Sequence, residues 1–339
     1  AWLSGDLRLM VLFWGATLLS LTLLIRVNRS WKIPYEAAKV SGKSFALGWL
    51  SLLVAVILLY VATGNWHINV TLANDDVITS GMRFIIDMLI VLAVVVPAAQ
   101  FPFQSWLIES VAAPTPLSAI MHAGIVNAGG IILTRFSPVF NDPLAITILL
   151  IIASISVLLG SGISLVHVDY KRQLVGSTMS QMGFMLVQCA LGVYSAAIIH
   201  LILHGVFKAT LFLQSGSVVK RFNIPTPPSA KRSYSWVVLG RCLAIIIAIL
   251  FWLGSDRSAY EILSALILAW SLMVSWNQMV AFSRGLIGRV IGIIMIVIVA
   301  LVYIVTHHYF YNTLSNVYMN VAHPPIISVI IGILILEFG

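Results

Sequence analysis

Long apolar runs separated by short polar stretches recur along the whole chain. They fall at roughly 7–25, 44–63, 83–103, 115–134, 143–166, 173–191, 194–219, 236–253, 259–281, 286–306 and 322–338, each near the ~20 residues that carry a helix across a bilayer. Lipid offers backbone groups no hydrogen-bond partner, so runs of this length predict helices rather than irregular chain. The pattern predicts an all-α polytopic membrane bundle of about eleven spans. The stretch Asn223 to Arg232, with Pro225, Pro227 and Pro228, is the longest polar break and divides the expected bundle into 1–222 and 233–339. Pro97 and Pro102 lie inside the third run, where proline removes a backbone donor and clashes with the preceding turn. They predict a break between Val96 and Phe103, with the freed backbone groups turned inward. Gly205, in the seventh run, marks a second candidate weak point.

Composition agrees with the pattern. Of 339 residues, 60% are hydrophobic and 9% charged, against about 25% charged in a soluble domain. The net charge of +8 could suggest nucleic acid, but its placement points to a lipid bilayer and to no nucleic acid. Arg26, Arg29, Lys32, Lys39 and Lys43 follow the first run, whereas Gly64 to Gly81 holds Asp75 and Asp76 and no Lys or Arg. Putting the first loop in the cytoplasm also puts Lys171, Arg172, Lys220, Arg221, Lys231, Arg232, Arg284 and Arg289 there, leaving Arg135 and Arg257 opposite. A multi-pass protein of the cell (inner) membrane follows, with residue 1 outside and residue 339 cytoplasmic. Cys189 and Cys242 have no CxxC spacing, and no CxxH or HExxH pattern occurs, so neither a metal site nor a cofactor is implied. Ala1 opens the chain without a leader-like pattern, which predicts a trimmed chain rather than a signal peptide.

The candidate chemistry sits on the seventh run. His200, His204 and Lys208 are spaced by four, so they line one side of a helix and drift by only ~80°. Ionisable groups in lipid cost several kcal/mol each, so this face is expected to meet protein or water. Histidine exchanges protons near neutral pH, and a ladder of such groups suggests a proton or ion path. The alternative is a set of buried polar contacts that pins one helix to its neighbours. Ser177, Thr178, Ser180 and Gln181 on the sixth run, and Asn127 below His122, are candidate polar partners. Asp87 and Glu109 are candidate entry or exit acids, or interfacial and structural ones. His307 and His308 read as solvated.

Two stretches carry a family resemblance. Phe101 to Gly130, FPFQSWLIESVAAPTPLSAIMHAGIVNAGG, resembles the PFxxWLxxAMxxPTPVSALIHAxTMVxAG signature of the antiporter-like subunits of respiratory complex I and of Mrp-type cation/proton antiporters. Asp169 to Val219 is similar to that family's DIKRxLAYSTxSQxGYM…AAIFHLxTHAFFKALLFLxxGSV. The resemblance implies inverted repeats of five helices, each with one broken helix, and 1–222 as the antiporter-like core. On that pattern Ala1 falls just before the fifth family helix, with roughly four helices upstream. It also implies an ion pathway through His122, Lys171, His200, His204 and Lys208, to which Asp87 and Glu109 are added from the residues alone. The chain departs from the pattern at two positions. Gly15 follows Trp14 where the family carries a glutamate, and Pro97 stands where it carries a lysine.

The forms GSTMSQMGFMLVQCALG and MHAGIVNAGGIILTRFSP resemble most closely the DabB-like membrane subunits of inorganic-carbon accumulation systems. That branch implies a transporter subunit rather than an enzyme. Its expected partner is a large cytoplasmic zinc protein related to β-carbonic anhydrases (DabA-like). The expected function is cation conduction, with the proton the expected ion, that energises CO2 or bicarbonate uptake. A subunit of respiratory complex I or of an Mrp-type antiporter is the alternative. A non-conducting scaffold that anchors a soluble enzyme is a third reading, from a different class.

Overall fold

The computed structural model describes residues 1–26, 32–73, 77–215, 234–254, 259–277, 280 and 285–318. Among the described residues every regular element is helical. The elements are α1 (Leu7–Ile25), α2 (Lys32–Thr63), α3 (Ile68–Ala73), α4 (Ser80–Val95), α5 (Ser105–Glu109), α6 (Thr115–Ala123), α7 (Ala128–Phe136), α8 (Pro143–Val166), α9 (Tyr170–Ala190), α10 (Tyr194–Gln214), α11 (Tyr234–Leu253), α12 (Ala259–Trp276) and α13 (Gly285–Tyr318). Among the described residues, seven helical stretches are long and apolar enough to cross a membrane: Leu7–Ile25, Pro34–Thr63, Thr115–Phe136, Pro143–Val166, Tyr194–Gln214, Ser235–Leu253 and Ile287–Phe310. This is a multi-pass membrane protein. The expected run at 322–338 lies outside the described residues, as do Asp75, Asp76, Arg257 and the stretch Asn223 to Arg232. Of the other expected runs, 83–103 becomes the shorter α4, 173–191 becomes the serine- and glutamine-bearing α9, and 259–281 becomes α12.

The chain divides into two compact units, one built on Ala1–Val219 and one on Lys220–Asn316. In the first, three aspartates start helices. Asp6, Asp142 and Asp169 accept from backbone N–H groups of the first turns of α1, α8 and α9 at 2.8–3.4 Å, the ordinary role of a side-chain oxygen at an N-cap. At the centre, α9 packs against α5, α7, α8 and α10. Its contact with α8 is a glycine seam. A Cβ on Gly160 would lie 2.5 Å from the Ser180 nitrogen, and one on Gly176 would lie 2.6 Å from the Ser164 nitrogen. Small residues let membrane helices approach closely where no hydrophobic effect drives them together.

Two helices are interrupted. α4 ends at Val95 and the chain resumes helix at Ser105, across the interval where Pro97 and Pro102 predict a break. Ala99 there has φ +53°, and Phe101–Pro102 is cis. The freed groups turn inward. Trp106 Nε1 donates to the Val96 carbonyl at 2.8 Å, the Gln100 side chain donates to the Ala98 and Met179 carbonyls, and Phe101 N donates to Ser156 Oγ at 2.9 Å. The second interruption was not expected from the sequence. α6 and α7 are separated by a 3₁₀ turn, Ile125–Asn127, entered at Gly124. The predicted weak point at Gly205 is instead inside an unbroken α10; a Cβ there would meet the Ala123 carbonyl at 3.0 Å, so close approach of two helices explains this glycine.

The second unit contains α11, α12 and α13, whose core includes Val237, Leu268, Leu272, Trp276 and Ile296. His307 is 3% exposed and packs on Phe251 and Tyr303 at 5.1 and 5.7 Å. This corrects the reading of it as solvated: the α13 face that holds it meets aromatic rings. His308 pairs instead with Asn312 Nδ2 at 3.0 Å.

Candidate ion-path site

One face of α10 decides the character of the site. His204 and Lys208 are 5% and 1% exposed, whereas Ile202, Leu203, Val206 and Phe207 are 47–67% exposed. The helix turns its apolar face outward and its ionisable face into the unit, as the cost of charge in lipid demands. Lys208 reaches α9, where Nζ donates to the Leu174 carbonyl at 3.3 Å and contacts Ser177 Oγ. The same carbonyl accepts from Thr178 Oγ1 at 2.8 Å and from Ser177 Oγ at 3.2 Å. Thr178 Oγ1 in turn lies 3.0 Å from His122 Nδ1, and the His122 ring stacks on Phe212, one turn beyond Lys208, at 4.2 Å. The structure therefore brings His122 and Lys208 together through one helical turn of α9.

The other end of the ladder is built differently. His200 Nδ1 lies 3.1 Å from Gln188 Oε1, near the C-terminal end of α9. The His200 and His204 ring centroids are 6.1 Å apart. Neither ring nitrogen of His204 has a hydrogen-bond partner among the described residues. Asn127 Oδ1 is likewise unpartnered, while its Nδ2 donates to Ala123 O at 2.7 Å and Leu201 O at 3.4 Å. Lys171 joins the other end of α9 to the Pro114 loop, donating to the Ala113 carbonyl at 3.2 Å.

The two acids are not part of this cluster. Asp87 is fully buried, and its Oδ2 accepts from the backbone N–H groups of Asn141 and Asp142 at 3.1 and 2.8 Å, holding the entry to α8. Glu109 is exposed at the end of α5. Sequence reasoning passed over Gln188, Gln100 and Trp106. Gln188 sits one turn beyond Phe184 in a helix whose polar residues are spread around its circumference, so no periodicity singles it out.

The site is a buried relay-like array of imidazole, amine and hydroxyl groups between α6, α9 and α10, in a membrane bundle with a proline-broken helix beside it. Residues 4–292 match the NADH:quinone oxidoreductase/Mrp antiporter transmembrane family, and the chain belongs to that family. It is 58% identical over 340 residues to a Bacillus subtilis protein and 54% identical over 341 residues to one from Bacillus anthracis, each named "Probable inorganic carbon transporter subunit DabB". Both alignments cover 100% of this chain and 67% of the relative. A protein of the same name from Hydrogenovibrio crunogenus is 34% identical over 314 residues, covering 88% of this chain and 59% of that one. Among solved structures, the fold is similar to the Mrp complex from Dietzia sp. (TM-score 0.63, 24% identity, 99% of this chain and 36% of that one). It is also similar to the archaeal membrane-bound sulfane sulfur reductase (TM-score 0.61, 20% identity, 94% and 72%).

Proposed function

We propose that this chain is the cation-conducting membrane subunit of an inorganic-carbon transporter, with the proton as its ion. Conduction would energise CO2 or bicarbonate uptake by a large cytoplasmic zinc partner related to β-carbonic anhydrases. The observation that carries this reading is the buried array itself: Lys208 is held on α9 by the Leu174 carbonyl and Ser177, His122 is held by Thr178 on the same turn, and His204 and His200 continue the ladder along α10. Buried ionisable groups in a membrane bundle are costly, and such groups mark ion paths and proton relays. The names of the Bacillus relatives supply the substrate class. Lys171 belongs at one end of the path, while Asp87 and Glu109 are proposed as outlying acids whose charge biases ion entry or exit. The arrangement of about eleven spans in inverted repeats, split at 1–222 and 233–339, with residue 1 outside and residue 339 inside the cell membrane, belongs to the same proposal.

One packing detail disfavours the respiratory or Mrp-type alternative. A Cβ on Gly15 would meet the Trp49 ring at 2.5–3.1 Å, and Trp49 Nε1 is tied to the Val11 carbonyl at 2.9 Å. The space a glutamate would need beside Trp14 is filled by indole.

The test uses His204→Ala and Lys208→Ala in cells that depend on carbon uptake. Both variants should assemble with the partner in pull-down, fail to grow in ambient air and grow normally at raised CO2. Normal growth in air by both assembled variants would end the conduction reading. Failure even at raised CO2 would turn the reading toward respiration.

A further inference from the structure

The three histidines near the path are not chemically equivalent, and the hydrogen bonds say which can relay a proton. The Thr178 hydroxyl has one hydrogen, and it is committed to the Leu174 carbonyl at 2.8 Å. Thr178 Oγ1 can therefore only accept from His122 at 3.0 Å, so Nδ1 of His122 carries the hydrogen. Gln188 Oε1 is an amide oxygen and can only accept, so Nδ1 of His200 also carries its hydrogen. With acceptor oxygens facing Nδ1, both rings favour the Nδ1–H tautomer, which leaves the acceptor lone pair on Nε2. His204 is bound by neither kind of partner: among the described residues both its nitrogens are unpartnered, although the residue is 5% exposed.

We infer that Gln188 and Thr178 are positioning residues that lock His200 and His122 as Nδ1–H imidazoles, so that His204 alone of the three passes protons through its ring. This rests on the reading of the ladder as a proton path. An imidazole that takes a proton on one nitrogen and releases the other nitrogen's proton is left in the opposite tautomer. It must then turn over, or hand a proton back, before it can work again. For His200, release from Nδ1 would set two lone pairs, its own and that of Gln188 Oε1, against each other in a buried site. His200 and His122 therefore gain and lose their protons at Nε2, as stores. His204 breaks no protein hydrogen bond on exchanging its tautomers, so it serves as the through-relay between them and Lys208.

The test is magic-angle-spinning NMR of the full-length protein, labelled with ¹⁵N-histidine and held in lipid bilayers. Resonances are assigned by removing one histidine at a time. His200 and His122 should show protonated Nδ1 and bare Nε2, and His204 should show both tautomers in exchange. Gln188→Leu should release His200 to the Nε2–H form, and Thr178→Val should do the same for His122. Gln188→Glu, which keeps an acceptor oxygen, should hold His200 as Nδ1–H. In proteoliposomes containing the partner subunit, proton flux should fall several-fold in Gln188→Leu and recover in Gln188→Glu. An Nε2–H form of His200 or His122 in the unmodified protein overturns the lock. An unlocked His200 with unchanged flux overturns its role in conduction. Locked tautomers in a protein that carries no proton flux would instead remove the conduction reading on which the relay stands.

Discussion

Gly160 and Gly162 lie two residues apart on α8, and alanine should act with opposite sign at the two positions. At Gly160 a new Cβ meets backbone: the Ser180 nitrogen at 2.5 Å, the Gly176 carbonyl oxygen at 2.8 Å and Ser180 Cα at 3.0 Å. None of these atoms can rotate away. Restoring an ordinary contact of about 3.4 Å requires α8 and α9 to part by about 0.9 Å at the seam. At Gly162 nothing lies within 4 Å, so alanine meets open space. Both substitutions gain the same helix propensity, about 1 kcal/mol for replacing a mid-helix glycine. The difference between the two variants therefore isolates the overpacking cost, which we expect at about 1–3 kcal/mol against Gly160→Ala. The assay is reversible unfolding of the purified protein in mixed SDS micelles, followed by circular dichroism. Gly160→Ala should also lower conduction, because α9 carries Ser177, Thr178 and Gln188 to the α10 ladder. If the two variants unfold within about 0.5 kcal/mol of each other, the close-approach argument for this seam is wrong.

Three further outcomes are expected. Asp87→Leu should destabilise the protein by about 1–3 kcal/mol for each backbone N–H it strands, those of Asn141 and Asp142, whereas Asp87→Asn, which keeps an acceptor oxygen, should lose less in the same unfolding assay. Trp106→Phe removes the indole N–H from the Val96 carbonyl in the broken helix but retains the ring against Phe45, so a loss of about 1–3 kcal/mol is expected; an unchanged unfolding midpoint would show the break is held by other contacts. At the start of α1, the side-chain hydrogen bond from Arg8 lowers the Asp6 carboxyl from 3.8 to about 2. Because the folded value is the lower one, the stabilisation is present above pH 3.8 and is lost as the pH falls through about 2. Asp6→Asn should abolish that acid-dependent part of the unfolding midpoint between those two pH values.

Class, helical content and the position of the main break were legible in the chain because each follows from local chemistry. An apolar run of about twenty residues has few stable choices in lipid, and Pro97 and Pro102 remove backbone donors from a helix whatever packs against it. The shared face of His200, His204 and Lys208 was legible for the same reason, since a spacing of four is a property of the helix alone. Which groups those side chains meet was not. Leu174 offers a backbone carbonyl, a group every residue has, and its role appears only when α9 and α10 lie side by side. Gln188 and Thr178 become partners of His200 and His122 through contacts 12 and 56 residues apart in sequence. Asp87 reads from the chain as an acid near a path, and only tertiary structure shows that its Oδ2 accepts from the N–H groups before α8. Gly205 reads as a weak point because a lone glycine signals either flexibility or close approach, and only the neighbouring Ala123 carbonyl distinguishes the two. The sequence by itself determined the helical membrane class, the main break and the shared face of the α10 ladder; the packing of α6, α9 and α10 decided hydrogen-bond partners, because those depend on distances between residues that no local pattern encodes.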